Sequence, residues 1–130
     1  MQTVKKQIQG LGMPWEDEYG YAQAVKSGKT VWIAGQVGHD DKGVLAEGME
    51  AQVVQAYANI KKLLEGFDMT MADVVEEVLY VLDIGAAFEA RKKFKNEFYP
   101  EPKSVASTLI AVNGLVLPNQ LIEIKIVAKQ

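Results

Sequence analysis

In LIEIKIVA, residues 121–128, Ile122, Ile124 and Ile126 alternate with Glu123, Lys125 and Val127. Successive side chains of a strand point to opposite faces of its sheet, so one face of this strand is wholly apolar and the other carries two charges. The stretch 104–112 reads as a further strand, apolar on both sides: Val105, Leu109 and Ala111 oppose Ala106, Ile110 and Val112. Such a strand expects cover on both faces. Asn113-Gly114 and Pro118-Asn119 supply the turns that join the two.

Working back along the chain, VVEEVLYVL at 74–82 predicts another buried strand, introduced by Thr70-Met-Ala-Asp73 with the spacing of a capping box. Between these strands a helix is expected over 86–98, with Phe88, Ala90, Phe94 and Phe98 inward and Pro100 and Pro102 ending it. A longer helix is expected over 48–66, where Val53, Tyr57, Ile60, Leu64 and Phe67 recur at helical spacing and Gly66 supplies a C-terminal stop. Upstream, 20–26 and 30–34 flank Ser27-Gly28-Lys29 and read as a β-hairpin. Gly35-Gln-Val-Gly38 ends its second strand, and His39-Asp-Asp-Lys-Gly43 forms a polar turn. Only the first dozen residues look loosely specified.

The order β-β-α-β-α-β-β is an α+β layout, in which two helices cover one face of a mixed sheet. No helix remains for the other face. The apolar 104–112 strand therefore expects a second protomer there, and the chain is expected to be a homo-oligomer.

Composition narrows the chemistry. The 130 residues predict a single domain over 1–130, and 48% apolar residues suffice for its core. Fourteen basic against 17 acidic side chains leave a charge of −3, which disfavours binding polyanions such as nucleic acid by charge alone. With no cysteine, a thiolate nucleophile and thiolate-held metals are excluded. One histidine excludes any mechanism needing two in a chain. No apolar run approaches the ~20 residues of a membrane span, and MQTVKKQIQG at 1–10 lacks a signal peptide's apolar core, so no membrane association and a cytoplasmic location are expected. No metal or other cofactor is expected.

Several groups read as scaffold or surface. His39 with Asp40 and Asp41 reads as a solvated turn rather than a base or metal site, because adjacent turn side chains seldom converge. Arg91-Lys-Lys-Phe-Lys95 reads as a solvated helix face. Gly35-x-x-Gly38 lacks the Lys-Ser/Thr of a phosphate loop. Glu76 and Glu77, adjacent in a strand, point to opposite faces. Glu123 differs, since a carboxylate amid isoleucines in mid-strand needs a partner, a wet face or a function.

Tyr21-Ala-Gln-Ala-Val25, Ala34-Gly-Gln36, Asn59-Ile60, Asp73-Val-Val75 and Ile122-Glu-Ile124 resemble, in their order and spacing, the RidA/YjgF family. These are reactive intermediate (imine and enamine) deaminases, also called L-PSP endoribonucleases in older usage. The resemblance spans residues 20–128. It implies a chorismate-mutase-like α+β fold and a homotrimer with a small-molecule cleft at each subunit interface. It further implies that Glu123 positions water near an imine carbon, that Tyr21 lines the cleft, and that Ala34 and Gly35 offer main-chain groups.

Active deaminases of that family hold the substrate carboxylate with an arginine in a Pro-x-Arg-Ser/Thr segment. Here the matching stretch is Val105-Ala-Ser-Thr-Leu-Ile110, which puts Ser107 at the arginine position and Thr108 beside it; a register on Lys103-Ser104 displaces the apolar pattern by four residues. Hydroxyls bind polar groups but do not neutralise a carboxylate as a guanidinium fork does. Lys125, on the same face as Glu123, is expected to pair with it. The leading reading is a Rid-family protein that hydrolyses an imine, enamine or related C–N bond on water oriented by Glu123, outside the standard 2-imino acid deaminases, with Ser107, Thr108, Tyr21, Ala34 and Gly35 around the ligand. The alternative is a non-catalytic metabolite-binding or regulatory homotrimer. Ribonuclease activity ranks lower, for want of paired acid–base groups and a basic groove.

Overall fold

The computed structural model describes residues 5–130. Six strands, β1 Gln7–Gln9, β2 Ala24–Ser27, β3 Thr30–Gln36, β4 Val74–Val81, β5 Ala106–Ala111 and β6 Ile122–Lys129, form one mixed sheet in the order β1-β2-β3-β6-β4-β5. Only β4 and β5 run parallel. Three helices accompany it: α1 Pro14–Tyr19, α2 Met49–Glu65 and α3 Ile84–Phe98. No helix of the described residues is long and apolar enough to cross a membrane.

The isoleucine face of β6 anchors the core. Ile122, Ile124 and Ile126 are fully buried with Val31 and Ile33 of β3 and Leu79 and Val81 of β4. Against them lies the expected stripe of α2, in which Val53, Tyr57, Ile60 and Leu64 are all buried. Each such side chain taken from water contributes roughly 1.5–3 kcal/mol. The opposite face of the sheet carries Ile8, Val25, Trp32 and Val127 in register across β1, β2, β3 and β6. Ile8 is 68% and Trp32 44% exposed.

Several local expectations are corrected. The first dozen residues are more ordered than their sequence suggests: β1 pairs with β2, and Pro14 opens α1; for residues 1–4 that expectation lies outside the described residues. Gly66 stays right-handed, and Asp68 instead takes the positive φ of 57°. What Gly66 provides is space, since the Gln9 amide sits where its side chain would be and donates to Gly66 O at 3.1 Å. On α3 the inward stripe runs through Ala87, Ala90, Phe94 and Phe98, while Phe88 turns outward and is 54% exposed. His39 is not solvated but 3% exposed, edge-on to Trp15, with Nδ1 2.7 Å from Asp40 O.

One irregularity positions the site. Ile33 faces Ile126 and Gln36 faces Ile124, so three steps along β3 match two along β6. The extra residue is a β-bulge at Ala34-Gly35, which re-aims the backbone locally.

Candidate functional site

Glu123 lies in β6 opposite Tyr80 of β4, on the face that no helix covers. The bulge sets Gly35 against its side chain so closely that a Cβ there would overlap the Glu123 carboxyl group. Gln120 Nε2 donates to Glu123 Oε1 at 3.3 Å, the one hydrogen bond to this carboxylate among the described residues. A carboxylate has about four acceptor positions. Most remain available. No ion pair among the described residues joins Glu123 to Lys125, which corrects the expected pairing; Lys125 is exposed opposite Val78.

Tyr21 belongs to the same neighbourhood. Burial raises its pKa most, with Glu16 and Glu123 adding to the rise against opposing hydrogen bonds from Gln23 and Trp15, so the phenol stays protonated at neutral pH. Gln23 Nε2 donates to Tyr21 Oη at 3.1 Å and to Glu16 Oε2 at 3.1 Å, while Gln36 Nε2 donates to Gln23 Oε1 at 2.8 Å. Because Tyr21 Oη accepts from this chain, its own proton is left to donate. Glu16 anchors the far end: burial would raise its pKa, but the main-chain N–H groups of Met13, Leu11 and Gly12 and the Gln23 amide outweigh that and hold it below its ordinary value. Ala34 is occupied within the protomer, its N–H donating to Gln23 O at 2.8 Å and its carbonyl accepting from Gln36 Nε2 at 3.0 Å.

The structure thus brings Glu123 and Gly35 together, with Tyr21 near enough for the Glu123 charge to raise its pKa. It separates Ser107 from them. Ser107 lies opposite Glu77 on the helix-covered side and donates to Glu77 Oε2 at 2.5 Å. Thr108, opposite Val78, faces the uncovered side two strands from Glu123.

Sequence reasoning missed what Ser107 touches. Glu77 is fully buried, and it accepts from Tyr57 Oη at 2.5 Å and Tyr99 Oη at 2.7 Å on Oε1 and from Arg91 Nε at 2.9 Å on Oε2. Burial first, then the Glu77 charge, pushes the Tyr57 pKa well above the ordinary phenol value. Tyr99 rises as well, through burial, Tyr57 and Glu77. Arg91 is therefore no part of a solvated basic face; its side chain is 18% exposed. A signal existed, since Glu77 shares strand parity with the apolar Leu79 and Val81 and so faces the core.

A groove of about 830 Å³, lined in part by Ala46, Gly48, Gln52, Leu117 and Asn119, offers no convergent polar group from Gln52. That amide is spent on Ala46 O, Asn119 O and Leu121 N.

A six-stranded mixed sheet with helices on one face, and a lightly bonded carboxylate over a bulge glycine on the other, defines a small α+β class of protein. Residues 15–130 match the family model described as Endoribonuclease L-PSP. The chain belongs to this family, the RidA/YjgF family. It is 35% identical over 115 residues to a RutC family protein of Aquifex aeolicus, covering 83% of this chain and 86% of that one. It is 31% identical over 87 residues to a 2-iminobutanoate/2-iminopropanoate deaminase of Salmonella typhimurium, covering 62% and 68%. Among solved structures, a YjgF/YER057c/UK114 family member from Mycobacterium tuberculosis is similar at a TM-score of 0.85 and 25% identity, covering 97% of this chain and 100% of that one.

Proposed function

We propose that the chain hydrolyses an imine or enamine C–N bond of a small molecule at a cleft completed by further copies of itself, as a homotrimer. The observation that carries this reading is Glu123: a carboxylate with acceptor positions to spare, braced over Gly35, with its charge felt by a protonated Tyr21. Relatives named as 2-iminobutanoate/2-iminopropanoate deaminases support it.

An iminium carbon is already electrophilic, so the protein's task is to orient water and exclude competing reactions. Water held by Glu123 adds to that carbon and passes a proton to the carboxylate. Glu123 returns that proton to the carbinolamine nitrogen and then takes the hydroxyl proton as the carbinolamine collapses to a carbonyl, releasing ammonia. One water is consumed for each ammonia released. Tyr21 is placed to donate a hydrogen bond to the developing alkoxide or the leaving nitrogen.

The test is ammonia release from 2-iminobutanoate, 2-iminopropanoate and a carboxylate-free imine. Wild type accelerates hydrolysis of at least one, and Glu123→Gln, which keeps the shape but not the base, lowers kcat by about 100-fold or more. Equal rates in the two proteins contradict the mechanism. No acceleration on any imine, with a ligand bound beside Glu123, favours the non-catalytic binding role.

A further inference from the structure

Arg91 is held unusually firmly for a residue in a run of lysines. Its Nε donates to the fully buried Glu77, and its guanidinium lies over the Tyr99 ring, with Cζ 5.2 Å from the centroid. Both oxygens of Glu77 are saturated, Oε1 by Tyr57 and Tyr99 and Oε2 by Arg91 and Ser107. A guanidinium has five N–H donors in a rigid plane. One is used here. The four on the Nη nitrogens meet no acceptor in hydrogen-bond geometry among the described residues, although the Tyr57 hydroxyl lies close to the group.

Arg91 Nε and Ser107 Oγ bond the same oxygen, so the guanidinium stands beside Ser107 at the sheet's last strand, whose outer edge has no partner strand among the described residues. The Ser107 hydroxyl already donates its hydrogen bond to Glu77. Besides the unpaired main-chain N–H groups of this edge strand, the side-chain donors left beside Ser107 are those of Arg91. A charged fork of fixed plane, partly open to solvent, matches the two oxygens of a carboxylate, and anchoring through Nε leaves that bidentate edge unobstructed by the anchor.

We propose that Arg91 binds the carboxylate of a small-molecule ligand at the β5 edge, with Glu77 and Tyr99 as positioning residues and with the grip supplied from α3 in place of an arginine at Ser107. The proposal rests on the small-ligand reading above and adds to it the residue that grips the ligand's carboxylate. In one protomer Arg91 and Glu123 serve opposite sides of the sheet, so one ligand meets both only where the β5 edge of one copy meets the Glu123 face of another.

The test titrates isotope-labelled wild-type protein with 2-oxobutanoate and, as the carboxylate-free control, 2-butanone, following the Arg91 side-chain resonances and the amides of Tyr21, Gly35 and Glu123. The Arg91 signals move saturably with the keto acid and not with the ketone, and Arg91→Lys, which keeps the charge but loses the fork, weakens binding by about tenfold or more. Arg91 signals that stay still in the keto acid overturn the proposal, as does unchanged affinity in folded Arg91→Lys. The wild-type titration decides the matter even if that variant does not fold. Movement at Glu123 and Gly35 without Arg91 leaves the proposed function standing and removes the arginine's role; movement at Arg91 alone supports the carboxylate site and counts against the cleft at Glu123.

Discussion

Glu77 accepts four hydrogen bonds and Glu123 one among the described residues, yet both stand in neighbouring strands of one sheet. A buried carboxylate is tolerable only when its acceptor positions are filled, and Glu77 meets that condition with two phenols, a serine and an arginine. Glu123 meets a different one, by facing the uncovered side with positions left for water. Gly35 is the residue that keeps this arrangement open. A methyl group there overlaps the Glu123 carboxyl, while the backbone itself is in a conformation any residue adopts. Gly35→Ala is therefore expected to lower imine hydrolysis about as far as Glu123→Gln, while the urea midpoint moves little. A variant that keeps full activity contradicts the placement of Glu123 over this glycine.

Helix α2 is located by its buried apolar stripe and by two close contacts at its start and middle. Its Gln52 backbone passes so near Gly38 that no side chain fits between them. Asn59 Nδ2 donates to Val37 O and His39 O, both at 3.0 Å, tying the helix to the segment that leaves β3. Asn59→Ala strands these carbonyls and is expected to cost about 1–3 kcal/mol in urea denaturation; a loss within a few tenths contradicts that role. Helices α2 and α3 and the four longer strands were legible because periods of 3.6 and 2 persist over enough residues to be read, whereas the six residues of α1 are too few. β1 was not, since Gln7-Ile-Gln9 holds one apolar residue and shows no alternation. On α3 the run of lysines concealed Arg91, whose inward direction follows from Glu77 on another element and not from local pattern. Of the site, the nearness of Tyr21 and Gly35 to Glu123 came from resemblance. The attachment of Ser107 to Glu77 depends on which face β5 presents, and a strand apolar on both sides does not state that.

At the scale of the whole molecule, one face of the sheet is covered and the other is not. Ile8, Trp32 and Ile110 stand exposed on that second face, which also carries Glu123. Exposed apolar side chains gathered on one sheet face mark a place where another surface docks. In the proposed assembly further copies of the chain supply that cover, and the cleft around Glu123 exists only once they do. Chemistry at Glu123 depends on this assembly more than on any single residue. Sedimentation equilibrium of the wild-type protein tests it most directly: the expected mass is about 43 kDa, three times the 14.3 kDa chain. A mass of one chain at all concentrations would leave Glu123 on a bare sheet face and contradict the account.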